Sequence, residues 1–267
     1  WFDALINYVS ALDYPGGGKF KEFWPADIHL IGKGINWFHS VIWPAMLISA
    51  GIKPPKTILV HGYLTVNGQK ISKSLGVQID PVEIVKKYGE DSVRYLFARE
   101  IPFGEDGNFS EKALKDRLNN ELANDLGNLL SRVVKMIEKS FSGNVPQGKV
   151  DGKLGKELNI ARIEKYMDKF ELHNALAEIW NFIRACNKYI NEKEPWTLEG
   201  KELENVLYTL ADSLRIISIL VSPFIPGTSD KINEQLGLNL GTLRGVKFGL
   251  LKGGKIKKGG HLFNKVK

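Results

Sequence analysis

The sequence predicts an α/β fold that gives way near residue 110 to an all-α one. Three observations carry this. Residues 27–32 and 57–60 are short strand-like apolar runs flanking a stretch of helical periodicity, the pattern of a βαβ unit with a parallel sheet. Residues 101–108 hold Pro102, Gly104 and Gly107 and read as a loop. From Ser110 onward apolar residues recur every three or four positions, which is the period of amphipathic helices packed in an antiparallel bundle.

In chain order, Trp1-Phe2-Asp3-Ala4 reads as the middle of a strand, so the chain is expected to begin inside a domain. The run at 27–32 ends in a Gly32-Lys33-Gly34 turn. Residues 35–50 read as a helix with Ile35, Phe38, Ile42 and Met46 on its apolar side; Pro44 should kink or break it. Residues 57–60 read as a buried strand, and Asn67-Gly68 as the tight turn of a hairpin. Asp80-Pro81-Val82-Glu83 has an N-capping carboxylate, proline at the first helical position and glutamate at the third. A short helix to Tyr88, a turn at Gly89 and a second helix over 91–99 follow.

The helical half shows three long periodic runs. One holds Leu114, Leu118, Leu122, Leu126, Leu129, Val133 and Ile137, with Asn124, Asn128, Arg132 and Lys135 on the opposite face. A second holds Leu172, Leu176, Ile179, Ile183 and Ile190. The third holds Leu203, Leu207, Leu210, Leu214, Ile217 and Val221, and Pro223 and Pro226 are expected to stop it. Residues 140–152 read as a linker and 252–267 as an extended, Lys- and Gly-rich tail packed back on the body. The expected domains are residues 1–109, 110–245 and a tail at 246–267.

Composition bounds the function. The chain has 267 residues, 43% hydrophobic and 25% charged, and a net charge of +7 that suits a polyanionic partner such as RNA. A lone cysteine, Cys186, excludes an internal disulfide and a cysteine-based metal knuckle, and fits a reducing, cytoplasmic setting. In a helical run it reads as a small buried apolar residue rather than a nucleophile. No apolar run has the length of a membrane span.

The chemistry-bearing segment is Val66-Asn67-Gly68-Gln69-Lys70-Ile71-Ser72-Lys73-Ser74. Two lysines three apart among hydroxyl residues, ahead of Gly76, can fold over a polyphosphate, neutralising charge on a leaving pyrophosphate while hydroxyl and amide groups donate hydrogen bonds. Taken alone, the run fits a solvated surface loop better than a phosphate-binding one. In context, Lys70-Ile71-Ser72-Lys73-Ser74 resembles the KMSKS signature of class I aminoacyl-tRNA synthetases, with Ile for Met. The preceding His61-Gly62-Tyr63-Leu64-Thr65-Val66-Asn67-Gly68 resembles the strand and turn before that signature in methionyl-tRNA synthetases. Trp1-Phe2-Asp3-Ala4-Leu5-Ile6-Asn7-Tyr8 resembles the methionine-pocket segment of the bacterial form. Gly32-Lys33-Gly34-Ile35, Phe38-His39 and Trp43-Pro44-Ala45-Met46 resemble the helix behind that pocket. The likeness runs from Trp1 to about Phe263, essentially the whole chain.

The resemblance implies the later part of a Rossmann-like class I catalytic domain followed by a helix-bundle anticodon-binding domain. It implies methionine, ATP with Mg2+ and tRNA(Met), initiator tRNA included, as ligands, and activation of methionine to methionyl-adenylate before transfer to tRNA. Catalytic roles fall on Lys70, Ser72 and Lys73. ATP-binding roles fall on Gly32, Gly34, His61, Gly62, Leu64 and Lys73, with the Leu64 backbone toward adenine; His29 reads as structural. Methionine-binding roles fall on Trp1, Ala4, Leu5, Tyr8, Ile35 and His39, although Trp1 and Tyr8 are equally compatible with core packing. Anticodon roles fall on Asn128, Arg132 and Trp196, the last presented by Pro195 for stacking on an unpaired base; a solvated helix face is the bland reading of the first two. Gly34 departs from the family, which usually has Asp there to accept hydrogen bonds from the ATP ribose.

The other class I signature, HIGH, does not occur in these residues, nor does the family's zinc-bearing insertion, so no zinc site is expected in this chain. The expectation is a C-terminal part of the enzyme that by itself does not form methionyl-adenylate and whose front half, carrying HIGH, is cropped or a separate subunit. Two alternatives stand beside it: another class I synthetase sharing the loop, and a non-catalytic tRNA-binding subunit of a split synthetase.

Overall fold

The computed structural model describes residues 1–70, 79–257 and 259–266, and of Lys70 the backbone only. Two compact units emerge: Trp1–Thr65 with Phe103–Asn108, and Val66–Pro102 with Phe109–Lys267.

The first unit opens on helices α1 (Phe2–Leu5) and α2 (Asn7–Ser10), joined through Ile6 at φ −65°, ψ −22°. This corrects the strand reading of the opening residues. Trp and Phe favour strands, but Leu5 and Val9, one helical turn apart, are buried with Trp43 and Leu47, and that packing decides the conformation. After α3 (Gly18–Phe23) comes β1 (Ile28–Gly32), followed by a 3-10 turn at Lys33–Ile35.

The predicted 35–50 helix is split by its proline. Phe38–Ile42 forms a π-helical turn and α4 (Trp43–Ser49) then carries Pro44 in its first turn. Proline lacks an N–H and its ring crowds the carbonyl four residues back, so a widened turn just before it relieves both problems. Strand β2 (Thr57–His61) pairs with β1 in parallel, Ile28 opposite Thr57 through Gly32 opposite His61, completing the expected βαβ unit. The strand predicted as buried is only half-buried over its middle and exposed at Thr57 and His61. In β1, His29 and Ile31 point inward while Ile28 and Leu30 are exposed, so one sheet face is covered among the described residues, and full burial needs both.

Strands β3 (Leu64–Val66), β4 (Gln69–Lys70) and β5 (Gly107–Phe109) form a small sheet in the order β4-β3-β5. The β3–β4 turn has Asn67 at φ 49° and Gly68 at φ 79°, the left-handed pair that a two-residue hairpin requires.

In the second unit, Asp80 caps α5 (Pro81–Tyr88) by accepting from the Val82 and Glu83 amides at 2.8 and 3.4 Å. Gly89 turns the chain into α6 (Glu90–Glu100) at φ 83°. Ser110 Oγ accepts from Ala113 N at 3.1 Å and starts α7 (Glu111–Arg117), which runs through a π-helical segment at Leu118–Gly127 into α8 (Asn128–Phe141). All seven apolar residues read along this stretch are buried. Next come α9 (Gly152–Gly155), α10 (Ile160–Asp168), α11 (Leu172–Lys193), α12 (Gly200–Val221) and α13 (Pro226–Leu236). Helix α10 is not among the predicted runs; its Asn159 cap accepts from Arg162 N at 3.1 Å. Pro226, read as a stop, also opens α13, where its missing N–H costs nothing. Helix α12 packs against α8, α11 and α13, with Leu207, Leu210, Leu214 and Ile217 fully buried.

Cys186 lies in this core as a free thiol, and burial pushes its pKa up to about 12. A buried thiol of that kind is packing rather than a nucleophile. The tail is extended and laid back on its unit, with Leu251 and Leu262 buried. No helix among the described residues is long and apolar enough to cross a membrane.

Candidate functional site

Helical geometry in α1 and α2 does what a strand would not have done. Trp1, Ala4, Leu5 and Tyr8 fall along one helix face, whereas alternation would have split Ala4 from Leu5. Phe2, Ile6 and Val9 take an adjacent face and line a separate apolar groove of about 690 Å3 with Ile42, Met46 and Ile52, a groove that includes none of the six predicted methionine residues.

Tyr8 Oη lies 2.9 Å from His39 Nε2, and His39 Nδ1 lies 3.0 Å from the Ile35 carbonyl oxygen. A carbonyl only accepts, so Nδ1 carries the proton, and in the neutral ring Nε2 accepts from the tyrosine hydroxyl. His39 is buried at 1% exposure inside the π-helical turn, a local widening of the kind that often marks functional positions. Trp1, exposed, stacks on Phe38 with ring centroids 4.9 Å apart. From the sequence Phe38 reads as an apolar residue of the helix behind the pocket; its stack on Trp1 adds it to this group. Of the remaining residues, Leu5 is buried in the core, Ala4 is exposed and Ile35 is half-buried.

His29 is packed against this group, its ring 4.4 Å from that of Tyr8. It is buried with Nδ1 unpaired among the described residues, and burial, reinforced by His39, holds its pKa below the usual imidazole value.

The nucleotide candidates gather at the carboxyl ends of the parallel strands, where ligands of open α/β sheets bind. Gly32 and His61 are paired at the last register position of β1 and β2, and His61 Nδ1 lies 2.8 Å from the Gly62 carbonyl. Gly62 is glycine for a steric reason: a Cβ there would sit 2.0 Å from the Glu105 carbonyl oxygen. Leu64 is half-buried at the start of β3.

Gly34 faces Tyr63. A Cβ at residue 34 would lie 2.7 Å from the Tyr63 hydroxyl, so the departure from Asp and the position of the tyrosine are coupled. Around them, Lys33 Nζ donates to Asp106 Oδ1 at 2.6 Å and stands 4.9 Å from the Tyr63 ring centre, while Tyr63 N donates to the same Oδ1 at 2.7 Å. The Lys33 ammonium and the Tyr63 amide hold the Asp106 carboxyl below its ordinary range. Sequence reasoning missed Asp106, which stands 73 positions from Lys33 with no local pattern to mark it.

Of the signature loop, Lys70 ends β4, and Ser72 and Lys73 lie outside the described residues. Among the described residues no group of three His, Cys, Asp or Glu could hold a metal ion.

In the helical unit Asn128 is exposed at the start of α8, and Arg132, one turn on, is half-buried and donates to Asn191 Oδ1 at 2.8 Å. Asn191, missed by the sequence reading, anchors the guanidinium near the end of α11. Glu194 then turns left-handed at φ 43°, Pro195 is buried, and Trp196 in the 3-10 turn Pro195–Thr197 is 61% exposed. A large aromatic ring held on a rigid turn and left open to water is suited to stacking on an unpaired base.

Comparison with known proteins places these features in context. Residues 1–134 match the family of tRNA synthetases class I (M), and residues 157–246 match the anticodon-binding domain of tRNA ligases. The chain is 50% identical to the methionine–tRNA ligase of Caldanaerobacter subterraneus subsp. tengcongensis, over 100% of this chain and 44% of that protein. It is 46% identical to the methionine–tRNA ligase of Thermotoga maritima, over 87% of this chain and 39% of that protein. It superposes on Mycobacterium tuberculosis methionyl-tRNA synthetase bound to methionyl-adenylate with a TM-score of 0.92 at 35% identity, over 98% of this chain and 55% of that one. The chain thus spans about half the length of the relatives it matches.

Proposed function

The chain belongs to the class I tRNA synthetase family of the methionine type, and from that membership we propose that it serves as part of a methionine–tRNA ligase acting in cytoplasmic protein synthesis. In this reading a methionine carboxylate oxygen attacks the α-phosphorus of ATP, supplied with Mg2+, and pyrophosphate leaves. A ribose hydroxyl at the tRNA end then takes the methionyl group and AMP is released. Residues 1–109 contribute to activation, 110–245 to anticodon reading, and 246–267 form the tail.

The observation that carries the reading is the Tyr8–His39 hydrogen bond beside the Trp1–Phe38 stack. A thioether is polarizable and favours aromatic edges, gaining about 0.3–1.5 kcal/mol per contact. Trp1, Tyr8 and His39 offer such contacts, and Ala4, Leu5 and Ile35 contribute apolar surface. Gly32, Gly34, His61, Gly62 and Leu64 hold the nucleotide, and Lys70, Ser72 and Lys73 stabilise charge on the departing pyrophosphate. Asn128, Arg132 and Trp196 read the anticodon of tRNA(Met), the initiator included.

Isothermal titration of the chain with L-methionine, L-norleucine and L-leucine tests the amino-acid half. Methionine binds, norleucine with a methylene in place of sulfur binds up to about tenfold more weakly, and leucine more weakly still. A folded chain that takes up all three alike contradicts the reading.

A further inference from the structure

The chain's positive excess is concentrated at its end. Eight of the 37 basic residues and none of the 30 acidic ones follow Glu234, so the last 33 residues carry +8 while the first 234 carry −1. Described residues of this segment are tied to the helices by hydrogen bonds. Val145 N donates to Gly254 O at 2.9 Å, Ile256 N to Gly143 O at 2.7 Å, and Gln235 Nε2 to Gly260 O at 3.0 Å. Further on, Asn119 and Val266 exchange two hydrogen bonds at 2.8 and 2.9 Å.

Between the Gly260 and Val266 anchors, residues 261–265 wall a groove of about 470 Å3 against the polar side of the π-helical segment and α8. Its polar lining is Asn124, Asn128, Ser131, Lys135, His261, Asn264 and Lys265, with no carboxylate. None of these seven side chains makes a hydrogen bond or ion pair among the described residues, so the groove presents unpartnered donors and two ammonium groups without a carboxylate partner there. Glu138, one turn past Lys135, lines a neighbouring cavity together with Ser131, Lys135 and His261.

We infer that this groove binds the sugar-phosphate backbone of a single-stranded RNA segment, with Lys135 and Lys265 on phosphate oxygens and the amide and hydroxyl groups on sugar and phosphate. Phosphate contacts of this kind position RNA without reading sequence. Asn128 belongs both to the groove and to the proposed anticodon residues, so the RNA occupying it would be the strand flanking the bases read by Arg132 and Trp196; that assignment rests on the function proposed above. The groove extends that reading by giving the C-terminal tail an RNA-contacting role.

Fluorescence anisotropy of the full 267-residue chain, at a series of salt concentrations, separates the two ideas. The probes are an RNA hairpin with the methionine anticodon, the same hairpin with a changed anticodon, and an unstructured oligouridine. Lys135→Gln with Lys265→Gln should weaken oligouridine and hairpin binding roughly tenfold at 0.1 M salt. It should also lower the slope of log affinity against log salt by about 1.4, at about 0.7 per lost contact on a single strand. Discrimination between the hairpins should stay unchanged. Trp196→Ala should remove discrimination and leave the slope. An unaltered slope and affinity for oligouridine in the lysine variant overturns the groove, as does failure of the wild-type chain to bind oligouridine. Equal binding of both hairpins by the wild-type chain overturns the anticodon reading alone.

Discussion

Tyr8 and His39, 31 positions apart, are joined by a 2.9 Å hydrogen bond that fixes which imidazole nitrogen faces the tyrosine. Because His39 Nδ1 is committed to the Ile35 carbonyl, the Tyr8 hydroxyl is the partner left for Nε2.

Tyr8→Phe removes that partner from a buried ring. An unsatisfied buried polar atom costs about 1–3 kcal/mol, so urea unfolding of the first unit should shift by an amount in that range. Methionine affinity should fall with it. Unchanged midpoint and unchanged affinity would mean that the pair neither supports the fold nor holds the amino acid.

His29 gives the first unit a defined pH response. Its pKa is lowered by burial and by His39, while the unfolded ring titrates near 6.5. Between the folded and unfolded values the unfolded chain binds more protons, so stability rises with pH there. The contribution is complete above about 6.5 and is lost as pH falls through the folded value. Unfolding measured from pH 5 to 7.5 should show a slope of at most about 1.4 kcal/mol per unit from this residue. His29→Leu should flatten it.

Legibility in the sequence followed the range of the forces involved. Helical periodicity found the α7–α8 and α11–α12 runs because one apolar face faces one core, and Asp80 announced its helix because capping is local. The opening residues were misread because aromatic content mimics a strand, and only burial of Leu5 and Val9 against Trp43 decides otherwise. The Lys33–Tyr63–Asp106 cluster had no local mark, since its members meet through strand pairing and a turn far apart in sequence. The candidate residues for the amino acid and the nucleotide are picked out in the sequence by resemblance alone. Their grouping on one helix face and at two strand ends required the fold.

Gly34 and Tyr63 are sterically coupled. A Cβ at residue 34 meets the Tyr63 hydroxyl at 2.7 Å. Gly34→Ala should therefore destabilise the first unit by about 1–3 kcal/mol, the usual cost of overpacking, and Tyr63→Phe should recover much of it. A double-mutant cycle by chemical denaturation measures the coupling. Additive effects would show that the tyrosine yields freely.

Asp212 and Arg215 hold the start of the tail. Asp212 is fully buried; it accepts from Arg215 Nε at 2.7 Å and from Gly249 N at 2.5 Å. Arg215 also donates to the Gly245 and Lys247 carbonyls at 2.8 and 2.6 Å. Arg215→Ala leaves a buried carboxylate uncompensated and should cost about 3–5 kcal/mol, with faster amide exchange from residue 245 to 249. A loss below 1 kcal/mol, within the range of an exposed pair, would contradict this arrangement.

The most direct measurement is a crystal structure of the chain soaked with a non-hydrolysable methionyl-adenylate analogue. The thioether is expected against Tyr8, His39 and Trp1, with the ribose and adenine along the Gly32 and His61 strand ends toward Leu64. Analogue bound instead in the apolar groove of Phe2, Ile6 and Met46, with no contact to Tyr8 or His39, is the opposite result.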